Sequence, residues 1–393
     1  MEDILYICAL SRSFLYKPMQ IIKIIEILSP NKKFDKEGIS LFYKLPINKI
    51  VHIAKKENCR EELILDSRSN EILNWASDEV NWCKEKGIQL IPLYSEEYPC
   101  NLKECSDPPI LLYYKGIESN KISFNNSNGK NSKIISIVGT RLASAYGKES
   151  CNKIVSDLAN FGCSPIIVSG LAYGIDYAAH KASLDNNLLT IGVLPNGLDL
   201  IYPAKHRAIA KQIIKQGALI TEFPRGMLPL KINFIKRNRI IAGIADAVVV
   251  IETRIKGGAM STVEFANSYS REVFALPGRI FDTNSYGCNY LILKNMARIL
   301  NNSDTILESI GLKNDTEIYA QQPNLFDLSL DANLDTIREK VINEIRIHPG
   351  VNLDELCNIL ELNISDVSML LLSLELEKVI ITNGAGYCLN KAF

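Results

Sequence analysis

Four short stretches of this 393-residue chain combine glycine, hydroxyl, cationic and aromatic residues in patterns suited to an anion or an unpaired base. The first is Gly139-Thr140-Arg141, which follows the apolar run 134–138. Glycine lets a backbone turn approach a phosphate, and Arg141 offers a planar fork to its oxygens. The same residues also suit an ordinary strand-to-helix turn. The second stretch runs from Val168 through Gly170 to Asp176, another apolar run followed by a glycine-rich turn. Asp176 falls in the first turn of the expected helix, where a carboxylate suits the helix dipole, and it is read that way rather than as catalytic. His180 is read as a packed or surface histidine, since no ligand cluster accompanies it.

The third stretch is Leu230-Lys231-Ile232-Asn233-Phe234-Ile235-Lys236-Arg237-Asn238-Arg239. Lys231, Arg237 and Arg239 suit phosphates, Asn233 and Asn238 suit base edges, and Phe234 suits stacking on an unpaired base. Phe234 as a core residue is the competing reading. The fourth is Lys256-Gly257-Gly258-Ala259-Met260-Ser261-Thr262, where Gly257 and Gly258 would hold a phosphate on free backbone N–H groups. It lacks the GxxxxGK[ST] spacing of an ATPase loop, and no GxGxxG follows a strand. Neither ATP nor NAD is expected, and no cofactor or metal. GxSxG and HExxH are absent too. Glu222 and Glu252, at strand ends, are the best acid/base candidates, but each is read as a structural carboxylate paired with an arginine.

The elements that position these stretches alternate regularly. Strands are expected at 134–138, 166–168, 190–194, 218–221, 247–251 and 273–276. Helices are expected at 148–161, 175–184, 205–215, 234–242 and 261–269. The spacing predicts an α/β fold with a Rossmann-like, doubly wound, mostly parallel sheet. Its glycine-rich stretches lie at the carboxyl ends of strands, where such sheets bind ligands. Two earlier strands, 88–93 and 110–114, and a polar loop over 118–132 precede that core. Residues 1–80 read as an N-terminal helical domain, 81–310 as an extended Rossmann-like domain and 311–334 as a polar linker. Residues 335–393 read as three helices and a hairpin turning at Asn383-Gly384, a winged-helix domain.

Charge is distributed unevenly. Residues 131–300 carry 20 Lys and Arg against 11 Asp and Glu, net +9, whereas 301–393 carry 6 against 15, net −9. The basic middle calls for an anionic partner, or is simply a solvated basic face. The acidic tail argues against a DNA-binding winged helix, and this segment is expected to bind protein or to fold back on the basic core. The ten cysteines form no CxxC pair, and the chain has neither a basic-apolar leader nor an apolar run of about 18 residues. Reduced thiols, a cytoplasmic location and no membrane association are expected.

Taken in order, Gly139-Thr140-Arg141, the 169–176 turn, Gly197-Leu198-Asp199-Leu200-Ile201-Tyr202-Pro203, Glu222-Phe223-Pro224, the 233–243 helix, the 274–278 strand end and Gly287-Cys288-Asn289 resemble the DNA-processing protein A family (DprA, or Smf) over about residues 88–300. The resemblance implies a Rossmann-like core that binds single-stranded DNA, protects incoming DNA in natural transformation, loads the RecA recombinase and works as a homodimer. It implies a binding pocket at Gly139, Thr140, Arg141, Gly170, Lys231, Asn233, Phe234, Arg237, Asn238 and Arg239, with Phe234 stacking on a base. Thr140 stands where the family more often has Ser, and Tyr173 where it often has Arg, which removes a cation and adds a stacking surface. The alternative is a phosphoribohydrolase-like nucleotide enzyme using the 256–262 loop and Glu252. Its PGGxGT signature is absent, and a non-enzymatic binding protein is expected.

Overall fold

The computed structural model describes residues 2–119, 133–161, 164–312, 332–360, 362–377, 379–383 and 386–390. The chain divides into two compact units, Met1–Lys313 and Asn314–Phe393. Most of the polar stretch 118–132 and of the expected 311–334 linker lies outside the described residues, as does Gly384 of the expected hairpin turn.

A nine-stranded sheet organises the first unit. Its strands are β1 (Gln89–Pro92), β2 (Leu111–Gly116), β3 (Ile134–Val138), β4 (Ile166–Ser169), β5 (Thr190–Val193), β6 (Ala218–Thr221), β7 (Ala247–Val250), β8 (Glu272–Ala275) and β9 (Arg298–Ile299). They lie in the order β1-β2-β6-β5-β4-β3-β7-β8-β9. β3 to β9 pair in parallel, and β1 and β2 join antiparallel at the β6 edge. The sheet is therefore mixed and mostly parallel. Its inner strands are mostly apolar on both faces because helices cover both: every residue of β3, β4, β6 and β7 is buried, and the hydroxyls of Ser136, Ser169 and Thr221 donate to backbone carbonyls. From β3 the chain moves outward to β4, β5 and β6, then crosses back to β7. The reversal opens a crevice between the carboxyl ends of β3 and β7.

Six helices precede the sheet: α1 (Glu2–Ser13), α2 (Pro18–Leu28), α3 (Lys36–Lys44), α4 (Ile47–Lys56), α5 (Glu61–Ser67) and α6 (Asn70–Glu85). They share one apolar core with β1, β2 and the β6 side of the sheet, through residues such as Ile7, Leu10, Ile24 and Tyr113. Buried Glu79 of α6 fastens them further. It accepts from the backbone N–H of Arg225 at 2.8 Å and pairs with that guanidinium at 3.2 Å.

The crossover helices follow a short α7 (Cys100–Lys103): α8 (Ala145–Asn160), α9 (Ile175–Asp185), α10 (Arg207–Gln216), α11 (Lys231–Ile244) and α12 (Gly258–Ser268). α8 begins at Ser144, whose hydroxyl accepts from Gly147 N–H at 3.0 Å. α11 starts three residues before the expected position, because Pro229 and extended Leu230 set up the first turn and Asn233 N–H reaches Leu230 O at 2.9 Å. That extra turn brings Lys231 onto the helix. The helices α13 (Tyr286–Leu293) and α14 (Asp304–Ser309) close the unit.

The second unit contains α15 (Ala332–Ile347), α16 (Leu353–Leu360) and α17 (Ile364–Leu376), followed by the antiparallel pair β10 (Ile380–Asn383) and β11 (Gly386–Leu389). It has its own apolar core, including Val341, Ile345, Leu356, Val367 and Leu371. No described helix is long and apolar enough to cross a membrane.

Candidate nucleic-acid interface

A cleft of about 820 Å³ opens at the β3–β7 crevice. All four stretches line it, the second through Ala172 and Asp176. Gly139, Thr140 and Arg141 leave β3, Lys231, Phe234, Arg237 and Asn238 come from α11, and Lys256, Gly257 and Gly258 lie between β7 and α12. Positions 231, 234, 238 and 241 recur at helical spacing, so one stripe of α11 faces the cleft. Five of the lining residues are cations (Arg141, Lys231, Arg237, Arg254, Lys256), against one carboxylate, buried Asp176. The walls therefore carry a positive field suited to a polyanion.

The Gly139–Arg141 turn is held on two sides. Thr140 N–H donates to Glu252 O at 2.7 Å, and Thr140 O accepts from Ile175 N–H at 3.2 Å. Gly174 must be glycine there: its φ is +78°, and a Cβ would lie 2.2 Å from Thr140 O. The turn delivers the exposed Arg141 side chain to the half-buried Phe234, whose ring centroid lies 4.9 Å from the guanidinium. Arg237 approaches the same ring at 5.8 Å, and Tyr202 meets it edge-on at 5.9 Å. Phe234 is thus an aromatic platform framed by cations, not a core residue.

Arg237 is set into the wall. Only 4% exposed, it donates from Nη1 to Gly170 O and to Val193 O at 2.8 Å, and from Nε to Asn238 Oδ1 at 3.1 Å. Burial pulls its pKa down to about 10, with Asp176 opposing that pull, so it remains a cation at neutral pH. Burial pushes the Asp176 carboxyl up, while Arg237 and the Ala172 N–H hold it down. Gly170 serves this arginine: a Cβ there would lie 1.9 Å from Nη1. Asn238 is also engaged, donating to Gly258 O at 3.2 Å and Ser261 Oγ at 2.9 Å, and so fixes the glycine loop to α11. The N-terminus of α12 lies at the Gly257–Gly258 edge of the cleft and has no side-chain cap, a helix end of the kind that receives anions.

Three expected site residues do not line the cleft: Gly170, buried behind Arg237, and Arg239 and Asn233. Arg239 projects from the opposite side of α11, is 3% exposed, and is held by the buried Glu222 carboxylate and by Asp107. Asn233 is fully buried, accepting from Tyr16 OH at 2.9 Å and donating to Leu228 O at 3.0 Å. Arg239 and Asn233 both tie α11 to its scaffold instead of facing the cleft. Glu222 does pair with an arginine, as expected. Glu252 instead accepts from the N–H of Ser144 at 2.9 Å and from its hydroxyl. It is fully buried and holds Ser144, the cap residue of α8. His180 is fully buried against Thr190 Oγ1 at 2.7 Å.

Sequence reasoning placed Lys256 in the fourth stretch without giving its cation a role, and missed Arg254, three residues before the glycine pair, as a cleft cation. Among the described residues, no cluster of His, Cys, Asp or Glu is arranged to hold a metal ion.

The family model of DNA recombination-mediator protein A matches residues 89–311, the span that contains the sheet and every residue of the cleft. The chain belongs to that family. Protein Smf of Synechocystis sp. is 35% identical over 318 residues, covering 75% of this chain and 78% of the relative. The DNA processing protein DprA of Streptococcus pneumoniae is 36% identical over 259 residues, covering 65% of this chain and 85% of that protein. The X-ray structure of the S. pneumoniae protein superimposes with a TM-score of 0.63 at 31% identity, covering 77% of this chain and 97% of that one. The family's fold is therefore that of the mixed, mostly parallel α/β sheet described above.

Proposed function

We propose that this chain binds single-stranded DNA in the β3–β7 cleft, as a non-catalytic member of the recombination-mediator family. The observation that carries the reading is the Phe234 ring, half-buried beside the Arg141 and Arg237 guanidiniums in a cleft with five cations and one carboxylate. Cations meet the phosphates, and an exposed ring stacks on any base, so binding tolerates all sequences. Duplex DNA keeps its bases stacked inside and offers nothing to that ring. Support for binding over hydrolysis comes from Glu252, whose buried carboxylate holds Ser144, the cap residue of α8.

Family membership supports the remaining steps: protecting incoming DNA during transformation, delivering the coated strand to RecA, and acting as a homodimer. The C-terminal unit, in the acidic 301–393 segment, is proposed to be a winged helix that contacts protein instead of DNA. The test of binding is an anisotropy titration with labelled oligo(dT) and a matched duplex. RecA delivery is tested by RecA-dependent strand exchange on DNA precoated with single-strand-binding protein.

A further inference from the structure

Beyond Arg141 lies a second, open cleft of about 560 Å³. Arg141 and Leu142 line both, so the two are neighbours across the Arg141 turn. The far cleft presents three rings. Tyr173 meets His206 edge-on with centroids 4.9 Å apart, and Tyr177 meets the same imidazole tilted, also at 4.9 Å. His206 is buried and fixed by Nδ1 donating to Leu171 O at 2.9 Å, whereas Tyr173 and Tyr177 are 42% and 40% exposed. The imidazole is thus a rigid backing and the two phenols are open. Arg141 and Lys148 flank them, and no carboxylate lines this cleft.

Two features join this cluster to the Phe234 platform. Residues 202–206 span both, since Tyr202 packs on Phe234 and His206 packs on Tyr173 and Tyr177. The loop bearing Tyr173 is also held in uncommon backbone geometry. Buried Leu171 has φ +56°, a conformation a bulky residue rarely adopts, and Gly174 is pressed against Thr140. The fold therefore holds the Tyr173 loop hard against the Arg141 turn.

We propose that Tyr173 and Tyr177, backed by His206, form a second base-stacking subsite for a further nucleotide of the strand whose neighbouring base stacks at Phe234, with Arg141 holding the phosphate between them. The inference rests on the single-strand reading of the first cleft. A strand entering the cleft continues over the rim at Arg141, and rings flanked by cations are what a nucleotide there would meet.

The test uses the full chain and labelled oligo(dT). Phe234→Ala, Tyr173→Ala/Tyr177→Ala and Tyr173→Phe/Tyr177→Phe are compared with wild type by anisotropy. Loss of a stacked base is expected to weaken binding at least about five-fold in each alanine variant, while the phenylalanine variant stays within about two-fold of wild type. In parallel, oligo(dT) carrying one 5-iodouracil, moved along the strand, is photo-cross-linked to wild type. Adducts are expected at Phe234 for one position and at Tyr173 or Tyr177 for another, and this arm decides if the alanine variant does not fold. Weakened binding in Phe234→Ala, with wild-type affinity in the folded tyrosine-to-alanine variant or no adduct at either tyrosine, overturns this subsite alone. No binding of oligo(dT) by wild type overturns both readings.

Discussion

The Arg141 guanidinium lies 4.9 Å from the centroid of the Phe234 ring, and this contact joins the turn after β3 to the helix after β6. One face of the ring is therefore already covered by a cation. Arg237 approaches the same ring at 5.8 Å. A base that stacks there meets both guanidiniums, so the ring carries stacking energy and the arginines carry charge.

Phe234→Ala is expected to reduce single-strand affinity by about 1–3 kcal/mol. Phe234→Trp, which keeps a π-face, is expected to stay near wild type. Anisotropy titrations with oligo(dT) at fixed salt measure both, and equal affinity of Phe234→Ala and wild type would remove the platform from the account.

Arg141→Ala is expected to weaken binding equally for all base sequences. It should also lower the slope of log affinity against log salt by about 0.7, the share of one phosphate on a single strand. A salt series with homopolymer oligonucleotides checks this.

Arg239→Leu separates scaffold from site. It leaves the Glu222 carboxylate buried without its partner, which is expected to destabilise the protein by about 3–5 kcal/mol. The folded fraction should bind oligo(dT) as wild type does, because Arg239 does not face the cleft. Urea unfolding and binding below the transition measure the two effects. A stable variant with weakened binding would restore Arg239 to the site.

His180 gives a pH signature. Burial holds its pKa at about 3 in the folded chain, against an ordinary 6.5, so the unfolded chain takes up a proton that the folded one refuses. Its contribution is whole above pH 6.5 and is lost as pH falls from there toward 3, at up to about 1.4 kcal/mol per pH unit. His180→Gln is expected to flatten that part of the stability–pH curve relative to wild type, as measured by denaturation between pH 7 and 4.

Much of this was legible in the sequence, for identifiable reasons. Strands buried on both faces appear as short, mostly apolar runs, and β3 and β6 fall at their expected residues. The glycine turns followed those runs, so the crevice was legible too. The sides of α11 were read less well. Arg237 and Arg239 are two residues apart, about 200° around a helix, so they face opposite ways, and only Arg237 borders the cleft. Asn233 was hidden by its partner Tyr16, more than two hundred residues earlier in the chain, a contact that no local pattern reports. The same holds for Glu79, whose buried link to Arg225 joins the N-terminal helices to the sheet.

The most direct measurement of the central claim is a comparison of oligo(dT) and matched duplex over a salt series, with wild type and the Lys231→Ala and Phe234→Ala variants. The account predicts that wild type prefers the single strand, that both variants weaken it, and that only Lys231→Ala lowers the salt slope. Equal affinity for single strand and duplex, unchanged in both variants, would contradict it.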